Sequence, residues 1–370
     1  MSTSKSRLHE LSELGQSVWT DYLSRQMLRS GKLERLMEQD AVVGVTSNPT
    51  IFQKAIAEGD FYDEQIRTSL EETDDPKEIF WRLAKTDVSD ACDVLRLVWD
   101  GGAGKDGYVS IEVDPNLAGD TQATIDQAQW LHETIDKPNL FVKIPATKEG
   151  LPAIEEMIAR GRSINVTLIF SLERYVEVAK AYIRGLERLV ESGGDPARVA
   201  SVASFFVSRV DTETDKRLDE IGGRDELKGR LAVANAKLAY QRYKEIFSGE
   251  VWDTLAVAGA SRQWCLWAST STKNPAYSDV LYVDELIGPE TVNTMPEETI
   301  SAFQDHGTVA LTLEQGIDEA KRLFDELAEA GVDYDDVTRV LEEEGVQKFD
   351  DSFSELLEGI AAKRVELAAA

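Results

Sequence analysis

The sequence has 370 residues, of which 42% are hydrophobic and 29% are charged, a composition typical of a soluble globular protein. Asp and Glu outnumber Lys and Arg by 68 to 40, and the resulting net charge of −28 argues against a nucleic acid or an anionic membrane as partner. No apolar run in the sequence approaches the roughly 18 residues that suggest a membrane span.

The first residues, "MSTSKSRLHELSELGQ", contain neither the apolar segment nor the cleavage site of a secretory signal, so we expect a cytoplasmic protein. The two cysteines, Cys92 and Cys265, are far apart and match no disulfide or zinc pattern. His9, His132 and His306 show no metal-binding spacing. We therefore expect an activity that needs neither a metal nor a cofactor.

In chain order, eight short segments rich in apolar and β-branched residues are predicted to be strands. They are residues 17–23, 42–47, 108–113, 140–146, 164–170, 199–207, 254–260 and 279–283. Helical patterns lie between them, and in 172–189 apolar residues recur every three or four positions. Eight strands that alternate with helices favour a closed parallel (β/α)8 barrel, the TIM barrel, over an open doubly wound sheet.

The chain shows no repeat and no linker, so we expect one barrel domain over residues 1–370. Extra helices are predicted within 50–100, and a helical C-terminal extension is predicted over 335–370. The stretch "GAGKDG" matches a dinucleotide-binding pattern at Gly102, Gly104 and Gly107. It follows a predicted helix and precedes a strand, the reverse of the order that nucleotide binding needs, so we do not assign a nucleotide site there.

Polar residues recur where the predicted strands end, which is where barrel enzymes carry their active sites. These residues, in chain order, are Asp21, Asn48, Glu112, Lys143, Asn165, Thr167, Ser204, Arg209, Ser261 and Arg262. Singly, each has an ordinary structural explanation as a helix cap, a turn residue or a surface ion pair. Their joint position at one rim of the barrel favours a common site.

Lys143 lies in the middle of "NLFVKIPAT", a segment that otherwise reads as a buried strand. A lysine is seldom buried without a partner or a chemical role. The alternative is that Lys143 lies on an exposed edge strand, where a lysine prevents pairing with another chain. A closed barrel has no edge. Desolvation disfavours the charged form of an amine, and a neutral amine attacks a carbonyl carbon to form a Schiff base. Asp21 and Glu112 would then serve as the acid and base that such chemistry requires.

The strings "GVTSNPTIF", "NLFVKIPATKEGLPAI", "INVTLIF" and "VASFFVSRVD" closely resemble those of the transaldolases, in the same order and over nearly the whole chain. The resemblance implies transfer of a dihydroxyacetone unit through a Schiff base on Lys143. The donor would be sedoheptulose 7-phosphate or fructose 6-phosphate, and the acceptor glyceraldehyde 3-phosphate or erythrose 4-phosphate, in the non-oxidative pentose phosphate pathway.

The resemblance also implies a role for each site residue. Asp21 takes the proton of the substrate hydroxyl, and Glu112 moves protons through a water held by Thr167. Asn48 and Asn165 orient the lysine and the substrate, while Ser204 contacts the ketose. Arg209 and Arg262, with Ser261 beside the latter, bind the phosphate, although the loop around Arg262 departs from shorter family members and Lys273 is an alternative.

Two other functions stay open at this point. A fructose 6-phosphate aldolase of the same barrel family would release the three-carbon fragment, but the related aldolases resemble this sequence with a glutamine at the position of Glu112 and are shorter. A non-catalytic acidic barrel that acts as a scaffold is the second alternative. We expect sugar phosphates as the binding partners, and either a monomer or a homodimer.

Overall fold

A computed structural model describes residues 6–369 and shows eight parallel strands closed into a barrel. Each strand pairs with the next one in the chain, and β8 pairs with β1. The strands are β1 Gln16–Thr20, β2 Val42–Val45, β3 Val109–Glu112, β4 Leu140–Pro145, β5 Ile164–Ile169, β6 Ser201–Phe206, β7 Trp264–Ala268 and β8 Thr291–Met295. The predicted (β/α)8 barrel is confirmed.

Sixteen α-helices surround and extend the barrel within residues 6–369. They are α1 Arg7–Glu13, α2 Arg25–Arg29, α3 Lys32–Asp40, α4 Pro49–Ala57, α5 Asp63–Ser69, α6 Pro76–Gly101, α7 Thr121–Ile135, α8 Gly150–Ala159, α9 Leu172–Glu191, α10 Ser208–Ile221, α11 Leu231–Ile246, α12 Glu250–Val257, α13 Leu281–Asp284, α14 Glu297–His306, α15 Ile317–Ala330 and α16 Tyr334–Ala369. Three of them, α4 to α6, lie between β2 and β3. No helix in this part of the chain combines the length and the apolar character needed to cross a membrane.

Six of the eight predicted strands are confirmed, and the last two are wrong. Residues 254–260, predicted as the seventh strand, include the end of α12, where alanine and leucine favour a helix. Residues 279–283 lead into the short helix α13. The true β8 escaped prediction because its buried residues include polar ones, among them Thr291 and Asn293, which the barrel interior accommodates.

The main hydrophobic core extends from Trp19 in β1 to Ile360 in α16, so the C-terminal helix packs with the barrel. A smaller cluster joins α1, α13 and α14 through residues such as Leu8, Val283 and Phe303. The predicted domain 1–370 includes residues 1–5 and 370, which lie outside the described residues.

The register of three neighbouring strands positions the site. Glu112 of β3 lies opposite Lys143 of β4, and Lys143 lies opposite Asn165 of β5. Because side chains alternate between the two faces of a strand, these three point to the same side of the sheet. All three are buried. They therefore form one polar layer inside the barrel near the C-terminal ends of the strands.

Candidate active site

Lys143 lies at the base of a cavity of about 810 Å³ that opens at the C-terminal ends of the strands. Only 5% of the residue is exposed. Its Nζ donates hydrogen bonds to the carbonyl oxygen of Ser47 at 3.1 Å and to Oε2 of Glu112 at 3.2 Å. Burial of an ammonium is costly without such partners, and the residual exposure leaves one side of the nitrogen facing the cavity.

Glu112 is buried beside this lysine, with 7% of the residue exposed. Burial raises the pKa of its carboxyl above the ordinary value, and the charge and hydrogen bond of Lys143 oppose that rise. A raised pKa makes the carboxylate a stronger base and keeps its acid form present to higher pH than in an exposed glutamate. Glu112 is therefore suited to proton exchange with groups bound to Lys143.

Asp21 directly follows β1 and lines the same cavity. Its Oδ1 accepts a hydrogen bond from Oγ1 of Thr46 at 2.6 Å, and Oγ1 of Thr46 lies 2.7 Å from Oγ1 of Thr294. Burial raises the pKa of Asp21, while the Thr46 hydrogen bond and the charge of Lys143 act in the opposite direction. The site thus holds two carboxyls with raised pKa values, at the C-terminal ends of β1 and β3.

Thr167 lines the cavity near the end of β5, and its buried Oγ1 has no hydrogen-bond partner among residues 6–369. The next residue, Leu168, has φ of 60°, and the pairing of β5 with β6 shifts register between Val166 and Ile169. Such left-handed backbone in a leucine costs about 1–3 kcal/mol and is concentrated at functional sites. The unpaired hydroxyl marks Thr167 as a residue that can hold a water or a substrate group.

Asn165 and Ser204 form a second polar pair behind the lysine. Oγ of Ser204 donates to Oδ1 of Asn165 at 2.7 Å, and Nδ2 of Asn165 donates to Oγ of Ser110 at 3.1 Å. Ser204 lines the cavity, whereas Asn165 is fully buried beneath it. Asn48 also lines the cavity, and its Oδ1 accepts from the backbone N–H of Ile51 at 3.0 Å, which caps α4.

The C-terminal helix α16 crosses the mouth of the cavity. The ring of Phe349 lies 5.9 Å from Nζ of Lys143 and 6.0 Å from Cζ of Arg209, measured to the ring centroid. Gly345, one turn earlier, permits this approach, because a Cβ there would lie 3.1 Å from Cδ2 of Leu168. Sequence reasoning missed Phe349, since no local pattern places a residue of the last helix above a residue of the fourth strand.

Besides Lys143, four basic residues line the cavity: Lys54 of α4, Arg209 of α10, Lys273 after β7 and Lys348 of α16. None of the four has a carboxylate ion-pair partner among the described residues, although ion pairs are common elsewhere on the surface. The charge of Arg209 is the largest cause of a lowered pKa at Lys348. Carboxylates line the cavity as well, among them Glu298 and Glu344, but cations that are not held in ion pairs are free to contact an anion such as a phosphate.

The predicted position of Ser261 and Arg262 at the end of the seventh strand is wrong. Both residues precede β7, so they lie at the N-terminal end of the barrel, away from the Lys143 cavity. Nη1 of Arg262 is paired with Oε2 of Glu290 at 2.8 Å. The loop that does follow β7 contributes Lys273 to the cavity, as the alternative prediction for the phosphate contact required.

The structure therefore brings seven of the other nine predicted site residues together with Lys143 and separates Ser261 and Arg262 from it. Thr46, Thr294, Lys348 and Phe349 belong to the site and were not predicted. A correct placement of β8 would have suggested Thr294. Within residues 6–369, no three His, Cys, Asp or Glu side chains are grouped as metal ligands.

Comparison with known proteins agrees with this geometry. Residues 18–360 match the model of the family described as transaldolase/fructose-6-phosphate aldolase. A transaldolase of Mycolicibacterium paratuberculosis is 54% identical over 362 residues, which are 97% of each chain. A transaldolase of Frankia alni is 53% identical over 96% of each chain, and one of Mycobacterium tuberculosis is 52% identical over 97% of each. With a buried lysine in contact with a carboxylate inside a parallel barrel, and with these relatives, the chain belongs to the transaldolase/fructose-6-phosphate aldolase family.

Proposed function

We propose that the protein is a transaldolase that moves a dihydroxyacetone unit from a ketose phosphate to an aldose phosphate. The observation that carries this proposal is the buried pair of Lys143 and Glu112, 3.2 Å apart, of which Lys143 lines a cavity that Asp21 also lines. The relatives over 50% identical along nearly the whole chain are named transaldolases, which supports the same conclusion.

Schiff-base formation starts with the loss of a proton from Lys143. Glu112 is the nearest base and accepts that proton, and the neutral amine then adds to the ketone carbon of the donor sugar. The carbinolamine loses its hydroxyl as water when Glu112 returns a proton to it. We assign Thr167 to hold the water that relays this proton, because its unpaired Oγ1 faces the same cavity.

Cleavage of the sugar chain then uses the iminium as an electron sink. Asp21 takes the proton from the hydroxyl on the carbon to be released. The resulting alkoxide becomes the carbonyl group of an aldehyde as the C–C bond breaks, and the electron pair of that bond moves into the iminium. The aldose phosphate leaves, and a three-carbon enamine stays on Lys143. The acceptor aldose reverses the same steps, and hydrolysis of the new Schiff base releases the product ketose.

The unpaired cations provide the phosphate site in this proposal. Arg209 supplies the planar guanidinium, and Lys273 and Lys348 add charge from the loop after β7 and from α16. Arg262 has no part in it, since its guanidinium is paired with Glu290 at the other end of the barrel. Ser204 and Asn48 line the wall between the lysine and these cations, where we assign them to hydroxyl contacts.

An aldolase would differ only in the fate of the enamine. Its carbon would take up a proton instead of adding to an aldose, and water would then hydrolyse the Schiff base and release dihydroxyacetone. The protein is mixed with fructose 6-phosphate alone and then with erythrose 4-phosphate added, and free dihydroxyacetone and sedoheptulose 7-phosphate are measured. We expect sedoheptulose 7-phosphate only when the acceptor is present and almost no free dihydroxyacetone. Release of dihydroxyacetone at a comparable rate without acceptor would identify an aldolase instead.

We infer as well that the described residues act as one domain, since the main core joins β1 to α16. The cytoplasmic location and the state of monomer or homodimer stay predictions from the sequence.

A further inference from the structure

One side of α16 forms a roof over the cavity that contains Lys143. Leu341, Gly345 and Phe349 follow one another at intervals of four residues, so they lie along the same side of this helix. Leu341 and Phe349 line the cavity, and a Cβ at Gly345 would lie 3.1 Å from Cδ2 of Leu168 in β5. The missing side chain at Gly345 thus lets α16 approach the C-terminal end of β5. We call Leu341, Gly345 and Phe349 the roof.

Phe349 is the residue of the roof that covers the lysine. Nζ of Lys143 lies over the face of its ring, 5.9 Å from the centroid. A carbon bonded to Nζ would lie about 1.5 Å from it, and carbons in van der Waals contact are about 3.5–4.0 Å apart. These lengths together come close to the observed distance. The space between nitrogen and ring therefore accommodates a Schiff-base carbon but not that carbon together with a layer of water.

Two cationic groups lie over the ring of Phe349. One is the ammonium of Lys143, and the other is the guanidinium of Arg209, whose Cζ is 6.0 Å from the ring centroid. Only 4% of Phe349 is exposed. The ring is thus a buried cover over the reactive nitrogen, and keeping water away does not require a ring face that is open to solvent.

The roof is fixed to the barrel at several points along α16. At the start of the helix, the hydroxyl of Tyr334 donates to Oδ1 of Asn235 in α11 at 2.7 Å. Farther along, Oγ of Ser352 accepts from the hydroxyl of Thr50 in α4 at 2.8 Å, and Lys363 is paired with Asp63 of α5 at 2.7 Å. No closing movement is needed to place a ring above the lysine.

Water decides whether a three-carbon enamine on Lys143 is transferred or released. If the enamine carbon takes up a proton, the iminium forms again, and water adds to the iminium carbon. The C–N bond then breaks and dihydroxyacetone leaves. One water is consumed in total, because its oxygen becomes the ketone oxygen, one of its hydrogens goes to carbon and the other to nitrogen. Protonation of the enamine carbon is the first step of this loss.

We propose that Phe349 determines transfer over release, because its ring keeps water from protonating the enamine until an aldose phosphate arrives. This inference rests on the proposed transaldolase function, since it concerns the intermediate of that reaction. A bound water needs two or more polar partners, and a phenyl ring supplies none. The proposed mechanism uses one water, which Thr167 holds, and the ring gives no anchor for another. Phe349 is thus a specificity-determining residue of the site.

The test measures the lifetime of the enamine in the full-length protein. The protein is incubated with fructose 6-phosphate, and the sugars are removed by rapid gel filtration. Erythrose 4-phosphate is added to samples after increasing delays. Each enamine that remains gives one sedoheptulose 7-phosphate, and each one that has been lost gives one free dihydroxyacetone. We expect Phe349→Ala to lose its enamine at least tenfold faster than the unchanged protein.

Phe353→Ala is the matched control on the same helix. Phe353 lies one turn after Phe349, is also buried and packs on Phe80 with ring centroids 5.3 Å apart, but it does not line the Lys143 cavity. Its truncation loosens α16 and leaves the ring above the lysine in place. The enamine of this variant is expected to last as long as that of the unchanged protein. A loss of folded protein lowers the amount of enamine formed, not its lifetime.

Phe349→Leu, with Phe353→Leu as its control, keeps the test decisive if the alanine variants do not fold. Leucine covers less of the nitrogen than a phenyl ring does, so we expect a lifetime about threefold shorter for Phe349→Leu and an unchanged one for its control. Equal lifetimes in the two leucine variants overturn the role of Phe349. An unchanged protein that forms no sedoheptulose 7-phosphate refutes the proposed function, and this inference with it.

Discussion

At the scale of single residues, the site depends on how burial acts on different groups. Burial raises the pKa of both Asp21 and Glu112, so each carboxylate is a stronger base than an exposed one. In the proposed mechanism, the 3.2 Å contact between Glu112 and Lys143 is the route by which the amine loses its proton. These residue types were predictable from the sequence, because a lysine in a buried strand and carboxyls at strand ends are visible there.

Thr167→Val tests the proton relay. Valine has nearly the same shape, and the hydroxyl that it removes has no protein partner, so we expect the free energy of unfolding to stay within about 1 kcal/mol or to rise. The turnover number is expected to fall roughly 10-fold to 100-fold, because general acid–base catalysis contributes at least that much. Steady-state kinetics with urea unfolding on the same preparations measures both, and an unchanged turnover number would remove Thr167 from the relay.

The pH dependence tests Asp21. The carboxylate form is the base, so kcat/KM should fall as the pH drops through its raised pKa, at higher pH than for a solvent-exposed aspartate. Thr46→Val removes the hydrogen bond that stabilises the carboxylate, and we expect the acid limb of the kcat/KM profile to move to still higher pH. Loss of activity with no movement of that limb would assign Thr46 a structural role only.

At the scale of elements, α16 contributes side chains to the site although it is far from the barrel strands in the sequence. Local sequence patterns do not reveal such a contact. It places Phe349 above the lysine and Lys348 among the other cations, more than 200 residues after β4 in the chain. The errors in β7 and β8 have a similar origin. The apolar residues of 254–260 fit a strand pattern, although part of this segment forms a helix. The polar residues of β8 are buried only because the barrel surrounds them. The misplacement of Arg262 followed directly from that error.

Lys348→Gln tests the contribution of α16 to phosphate binding. Loss of one charge-assisted contact is expected to raise the KM for fructose 6-phosphate roughly tenfold, since such a contact is worth about 1.5 kcal/mol. Unphosphorylated fructose has no group to meet this lysine, so its slow turnover should not change. Steady-state kinetics with each of the two donors measures both effects, and Lys321→Gln is the control. An equal effect on both donors would show that Lys348 orders the helix and does not contact the phosphate.

At the scale of the whole molecule, a buried ion pair ties the extra helices to the barrel. Nε of Arg25 in α2 donates to Asp87 in α6 at 2.8 Å, and the hydroxyl of Tyr62, just before α5, donates to the same carboxylate at 2.7 Å. Arg25 is 4% and Asp87 0% exposed. Burial raises the pKa of Asp87, and Arg25 opposes that rise. No motif in the sequence indicated this contact between two residues that are 62 positions apart.

Arg25→Met is expected to destabilise the fold by about 3–5 kcal/mol, because it leaves the carboxylate of Asp87 buried without its cation. Without Arg25 the folded-state pKa of Asp87 is raised further above the unfolded value. The folded state then binds the proton more tightly, so the loss should be smaller near pH 5 than near pH 8. Urea unfolding at both pH values measures this. The double variant with Asp87→Leu should recover most of the stability, and a double variant as unstable as the single one would argue against the ion pair.

The most direct measurement for the whole account is the identity of the lysine that carries the three-carbon fragment. The protein is incubated with fructose 6-phosphate, reduced with borohydride and digested, and the modified peptide is sequenced by mass spectrometry, with Lys143→Arg as the control. We predict one reduced three-carbon fragment on Lys143, none on the Arg variant, and discharge of the label when erythrose 4-phosphate is added before the reductant. A label on another lysine, or a labelled Lys143 that the acceptor does not discharge, would contradict the mechanism.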